Sequence, residues 1–242
     1  MSRQNNIHFA GFSAETVFFL KNLRENNNRD WFLARKKDYE KKVLQPAREF
    51  VVEMGHMLQK ISPGIQADSR VNRSISRIYQ DVSRYASNQE PYKTYLAIYF
   101  WQGIRKGGEP PGYYFELRPE QLYLAAGSRS FSRKALHSFR EAVANPESGE
   151  ELVQIIAKIQ ENKDYQLNKP YYKSIPEGYH IIDSKRVDLI RFNGLLASRE
   201  MPIPPELYTR DLLKLVYNIY KDWSPLQNWL TKYVYEVPKG KT

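Results

Sequence analysis

Cysteine is absent from the 242 residues, which excludes a disulfide framework, a zinc–thiolate site and a catalytic thiol. Histidine is scarce. His8, His56, His137 and His180 lie too far apart for the H-x-x-x-H spacing that sets two imidazoles on one helical face. No metal site and no cofactor is expected. His180, between Tyr179 and Ile181, reads as a packed or turn histidine rather than a base. Long hydrophobic runs are missing too. The longest uncharged apolar stretch, Tyr95 to Gln102, falls far short of the roughly 20 residues that span a bilayer. Residues 1–8 hold no apolar core of a secretory signal, so a cytoplasmic protein without a membrane partner is expected. Catalytic motifs are equally lacking. Ser128 sits between Gly127 and Arg129, outside a G-x-S-x-G elbow, and Gly107-Gly108 has neither the lysine nor the context of a phosphate loop.

What is present is a basic, aromatic-rich globular composition. Hydrophobic residues make up 41% and charged residues 26%, which rules out a wholly disordered chain. The net charge is +10, and its densest part is residues 69–106, where seven basic side chains face two acidic ones. Such a surface concentrates anions: nucleic acid, phosphate esters or acidic lipid.

The periodicity changes twice along the chain. Residues 1–61 read as helical. Ser13 can cap a first helix, with Phe12 and Val17 as its hydrophobic staple. Asn28 can cap a second that runs through Trp31, Phe32, Tyr39 and Val43, and Pro46 can open a third. Residues 71–81, 92–101, 112–118 and 121–126 read as strands, the last two forming a hairpin. Both faces of 92–101 are apolar, which predicts a strand covered on both sides. Ser132 can cap a helix over Arg133–Ala144, and Ser148-Gly149-Glu150-Glu151 reads as a capping box opening a helix to Gln160. Residues 163–182 read as loop, Ser184–Phe192 as a short helix and Gly194–Met201 as a strand. Two final helices are expected, Glu206 to Lys221 and Pro225 to Tyr235, the second capped by Ser224. The predicted fold is a single α+β domain over 1–242. Its N-terminal helices pack on a mostly antiparallel sheet of about 71–126, and C-terminal helices cover the rest.

The candidate site lies in the basic stretch. On a strand, Arg73, Arg77 and Asp81 share a face, interleaved with Ile75 and Tyr79. An aspartate among arginines stays ionised and orients the guanidinium groups. With Arg84 and Lys93 alongside, the residues could form a concave anion site, or Arg77 and Asp81 could be a structural ion pair tying loop to sheet. The candidate ligand-binding set is Arg77, Asp81, Arg84, Tyr92 and Lys93. Tyr85, and Tyr113 or Tyr114, are further candidates for an exposed aromatic surface.

The same stretch carries a resemblance. Gly11-Phe12-Ser13, Asn27-Asn28-Arg29-Asp30-Trp31-Phe32 and Tyr39 are followed by Arg77-Ile78-Tyr79, Asp81-Val82, Arg84 and Pro91-Tyr92-Lys93-Thr94. Gly112-Tyr113-Tyr114, Gly127, Arg140, Lys169-Pro170, Gly178-Tyr179 and Leu189-Ile190-Arg191 complete the set. Over nearly its whole length the chain resembles the bacterial and plant family catalogued as domain of unknown function 2461. Members typically have an arginine where this chain has Gln80, charged residues in place of Ala86-Ser87-Asn88-Gln89, and a tryptophan after the glycine at 127. The resemblance implies no reaction. The residues themselves point first to a binding module for an anionic ligand, nucleic acid or phosphate-bearing, at a basic aromatic surface. A cofactor-independent enzyme acting on a phosphorylated or carboxylated small molecule is the alternative, and a protein-interaction scaffold is the second.

Overall fold

The computed structural model describes residues 8–80, 90–103, 110–179 and 184–235. Six strands form one antiparallel sheet in the order β1-β2-β3-β4-β6-β5. They are β1 (Ile65–Gln66), β2 (Leu96–Gln102), β3 (Gly112–Leu117), β4 (Gln121–Ser128), β5 (Gln166–Leu167) and β6 (Leu195–Pro202). The helices are α1 (Ala14–Glu25), α2 (Arg29–Ala34), α3 (Lys36–Tyr39), α4 (Gln45–Leu58), α5 (Arg133–Ala144), α6 (Pro146–Gln160), α7 (Ser184–Val187) and α8 (Asp211–Leu230). The architecture is α+β, as the change of period implies. Among the described residues, no helix is long and apolar enough to cross a membrane.

Strand alternation divides the sheet into two unlike faces. Ile98, Phe100, Tyr113, Phe115, Leu122 and Leu124 are buried on one of them. Phe50 of α4 lies 4.8 Å from the Phe115 ring, and Phe12 stacks on Phe115 at 5.9 Å. From α8, Tyr220 packs on Tyr113 at 4.8 Å and donates its hydroxyl to the Tyr114 carbonyl at 2.8 Å. N-terminal and C-terminal helices thus share one face of the sheet, and their buried side chains form one cluster from Phe9 to Val234. The other face of β2 carries Ala97, Tyr99 and Trp101. Ala97 and Trp101 are buried there, as the apolar run implied, and Ala97 and Tyr99 line a cavity.

Several expected boundaries move. Residues 71–81 do not form a strand over their described part; only the bridges Val71–Ile75, Ile75–Ile98 and Tyr79–Tyr92 occur. Asn72 adopts a left-handed φ of 65° and donates its N–H to the Ile75 carbonyl, so the chain turns where a strand would run straight. It then lies along β2, with Ser76 N–H on the Ala97 carbonyl and Tyr99 N–H on the Ser74 carbonyl, each at 2.9 Å. The sheet therefore draws less from 71–95 than expected and more from 195–202.

Asn28 caps α2, accepting from Trp31 N–H at 3.0 Å. The expected second helix does not reach Val43 unbroken. Arg35 leaves helical geometry at φ −117°, and a π-helical turn over Glu40–Leu44 runs into α4; Pro46 has no N–H to offer the Lys42 carbonyl four residues back, which accepts from the Thr16 hydroxyl at 2.6 Å instead. Ser132 caps α5 as anticipated. The cap of α6 is Asn145, which accepts from Glu147 and Ser148 N–H, because Pro146 suits the first helical position. Ser148 lies inside that helix and donates to the Ala142 carbonyl.

The final helices are continuous through Pro225. Proline lacks the N–H that would bond the Lys221 carbonyl four residues back, but Ser224 donates its hydroxyl to that oxygen at 2.8 Å. Burial of Trp223, Leu226, Trp229 and Leu230 on this helix offsets the remaining cost. Ser224→Ala should lower the unfolding free energy by about 1 kcal/mol. In a Pro225→Ala background, where an N–H reaches Lys221, the loss should shrink toward zero. Urea denaturation of the four proteins checks this, and equal losses in both backgrounds would contradict it.

Candidate ligand-binding cavity

The open face of the sheet is the floor of a cavity of about 730 Å³. The register defines its rungs. Ala97, Glu116, Tyr123 and Glu200 lie across one, Tyr99, Tyr114, Ala125 and Ser198 across the next, and Trp101, Gly112, Gly127 and Leu196 across the third. Two glycines are required by close approach. A Cβ on Gly112 would stand 2.1 Å from the Phe100 carbonyl oxygen, and one on Gly127, at φ +126°, 2.2 Å from that of Leu195. With Ala97 and Ala125 they keep the floor low.

Four tyrosines rise from this floor: Tyr95, Tyr99, Tyr114 and Tyr123. Tyr99 donates its hydroxyl to the Pro110 carbonyl and Tyr114 to the Glu116 carboxylate. The Tyr114 and Tyr123 rings meet edge to face at 6.1 Å. Burial pushes the hydroxyls of Tyr95, Tyr114 and Tyr123 upward, the bond to Glu116 adding to it at Tyr114, so all three remain neutral donors at physiological pH.

Glu116 is 5% exposed and, among the described residues, is the only buried side chain of the Asp, Glu, Lys, Arg and His types. Arg118 donates from Nε to Oε1 at 2.6 Å, while Tyr114 holds Oε2. A charge so enclosed needs both partners. Arg73, Arg77, Lys93 and Arg129 add cations to the lining, against Glu116 and Glu200 as its acids. Lys93 donates to the Ser76 hydroxyl at 2.6 Å. Burial first, then the neighbouring Arg77 guanidinium, draws the Lys93 ammonium below its ordinary value, with Glu116 opposing.

The rim is set by a turn anchored on Asp68. Its backbone N–H donates to the Ser74 hydroxyl, and its carbonyl accepts from Ser74 N–H, each at 3.0 Å. The carboxylate accepts from Arg70 Nη2 at 2.6 Å and lies 3.9 Å from Arg73 Nε. The bond from Arg70 holds the Asp68 carboxyl at about 2, well below the usual range.

The structure brings Arg77 and Lys93 together on this cavity, with Arg73 beside them. Tyr92 does not join them. It is 2% exposed, stacks on Phe32 at 4.3 Å, and its backbone is gripped by the Asn27 side chain, with Asn27 Oδ1 accepting at 3.1 Å and Nδ2 donating at 2.8 Å. Its place is to anchor the segment that carries Lys93. Asp81, Arg84 and Tyr85 lie outside the described residues, and with them the proposed Arg77–Asp81 pair; so does His180. Tyr113 is fully buried against α8, whereas Tyr114 lines the cavity. Ser128 is buried and shares a hydrogen bond with the Tyr235 hydroxyl at 2.8 Å. No group of three or more metal-ligating side chains occurs among the described residues.

Sequence reasoning missed Glu116, Arg118, Tyr123, Arg129 and Glu200. Alternation along the predicted hairpin already put Gly112, Tyr114, Glu116 and Arg118 on one face, and that signal could have found two of them. Glu200 joins only through the pairing of β4 with β6, which no local pattern announces.

The lowered pKa of Lys93 makes a pH prediction. Between its folded value and about 10.4, the ordinary lysine value, the unfolded chain binds more protons than the folded one, so this residue's effect on stability becomes more favourable as pH rises. Urea midpoints of the wild type should therefore gain on those of Lys93→Met as pH climbs through that window. A constant difference between the two proteins would refute the assignment.

A search of curated proteins finds no match to the chain. The family model described as conserved hypothetical protein (DUF2461) matches residues 15–229, spanning every strand and every lining residue of the cavity. The chain therefore belongs to the DUF2461 family.

Proposed function

We propose that the protein binds a small anionic molecule, phosphate- or carboxylate-bearing, in the cavity on the open face of its sheet, and that it does so in the cytoplasm. The observation that carries this reading is the convergence of Arg73, Arg77, Lys93, Arg118 and Arg129 on one concave space that also holds four tyrosines. Among the described residues five cations line this space against two carboxylates, with Asp68 beside Arg73, an excess of positive charge that an anion would offset. The neutral tyrosine hydroxyls add hydrogen-bond donors. A volume of about 730 Å³ suits a small molecule, within the roughly 300–1,000 Å³ typical of ligand sites, better than the open groove that tracks a single strand of nucleic acid.

Titration calorimetry at low salt with inorganic phosphate, pyrophosphate and a single-stranded oligonucleotide tests the reading. The small phosphates should bind, and Lys93→Ala should weaken them by roughly tenfold or more, since a hydrogen bond to a charged group is worth about 1.5–3 kcal/mol. Binding of the oligonucleotide alone, or affinities untouched by both Lys93→Ala and Arg77→Ala, would overturn it.

A second reading is favoured by Glu116. A buried carboxylate aimed into a cationic cavity and oriented by Arg118 and Tyr114 is the arrangement a general base requires. Phosphorus NMR of a bound phosphate ester separates the two. An unchanged spectrum supports binding alone; product that forms with the wild type but not with Glu116→Gln supports an enzyme.

A further inference from the structure

We infer that the ligand of this cavity joins its anionic group to a flat ring, and that Ala97 and Ala125 keep open the space the ring occupies. The inference rests on the anion-site reading above and narrows its ligand class.

Most of the lining charge gathers at one end of the floor, with Arg129, next to Ser128, at the other. Lys93 and Arg77 stand by the start of β2, and the same end of the sheet carries Glu116 and Arg118, because Leu96 pairs with Leu117. From there the floor runs over Ala97, Ala125, Gly112 and Gly127, none of which has a polar side chain. The backbone beneath offers little more, since β2, β3, β4 and β6 are paired in ladders throughout this stretch. A ligand body lying there rests on alanine and glycine, with the tyrosine rings and Arg129 around it, so the face it turns to the floor itself needs no polar group.

The walls favour a ring in particular. Tyr99 lies across Gly112, so close that a Cβ there would come within 2.8 Å of its ring carbons. Its hydroxyl is tied to Pro110, and that of Tyr114 to Glu116, so both rings are held in place before any ligand arrives. Preorganised aromatic walls lose little side-chain freedom on binding and offer offset or edge contacts to an aromatic guest. Size argues the same way, because a bare inorganic anion fills only a small part of about 730 Å³.

The test compares phenyl phosphate, glycerol phosphate and inorganic phosphate by titration calorimetry on the full chain. Wild type should bind phenyl phosphate about tenfold tighter than the other two, the gain expected of ring contacts. Ala125→Leu grows into the cavity rather than the core. It should abolish that preference while changing inorganic phosphate affinity by less than about twofold. Ala97→Leu, two strands away on β2, should act alike, and retained phosphate binding together with the thermal midpoint shows that each variant is folded. Equal affinities for the three probes in wild type, or a preference that survives both substitutions, would overturn the ring while leaving the anion site standing. Failure of all three to bind would remove the anion site, and the ring with it.

Discussion

The ladder that joins Ile98, Phe115 and Leu124 on one face of the sheet joins Tyr99, Tyr114 and Ala125 on the other. Because strand side chains alternate, a slip of one residue would exchange the two sets, driving tyrosines and Glu116 into the helices and exposing the phenylalanines. The aromatic cluster of Phe12, Phe50, Phe100 and Phe115 makes such a slip prohibitive. Burial on the helix side thus sets the chemistry on the cavity side.

Electrostatics within the cavity follows from that arrangement. Glu116 is compensated by Arg118 and by the Tyr114 hydroxyl, so it is satisfied where it lies. Lys93 is drawn down by burial first and then by the neighbouring Arg77, with Glu116 opposing. An anion bound as proposed would offset the repulsion between Lys93 and Arg77 while deepening their burial.

The N-terminal helices act on the cavity from a distance. Phe32 of α2 stacks on Tyr92, and Asn27, just before α2, grips the Tyr92 backbone through both its side-chain atoms. Lys93 follows directly, and Ile78, whose carbonyl accepts from Lys93 N–H at 2.7 Å, links it to the segment carrying Arg77. Residues that the family resemblance singled out for their pattern, Asn27, Phe32 and Tyr92, thus form the support of the cavity rim rather than its lining. That is why Tyr92 stood beside Arg77 and Lys93 in the sequence and yet faces the core.

Much of the architecture was written in local patterns. Asn28 and Ser132 cap helices because a side-chain oxygen can reach an N–H three residues on, a matter of a few neighbouring residues. Alternation in 112–118 and 121–126 marked the hairpin, and the charge excess of 69–106 marked Arg77 and Lys93. Tertiary structure decided the rest. Pro225 stays inside α8 because Ser224 and a buried face outweigh its local preference to end a helix. Residues 71–80 turn rather than extend because Asn72 bends them against β2. Glu116, Arg129 and Glu200 meet only through pairings among β3, β4 and β6, up to 84 positions apart in number between Glu116 and Glu200. Capping and alternation are free energies of adjacent residues and can be read along the chain. Which side chains of a sheet meet the aromatic core, and which line a cavity, is settled by contacts between distant segments that no short stretch of sequence contains.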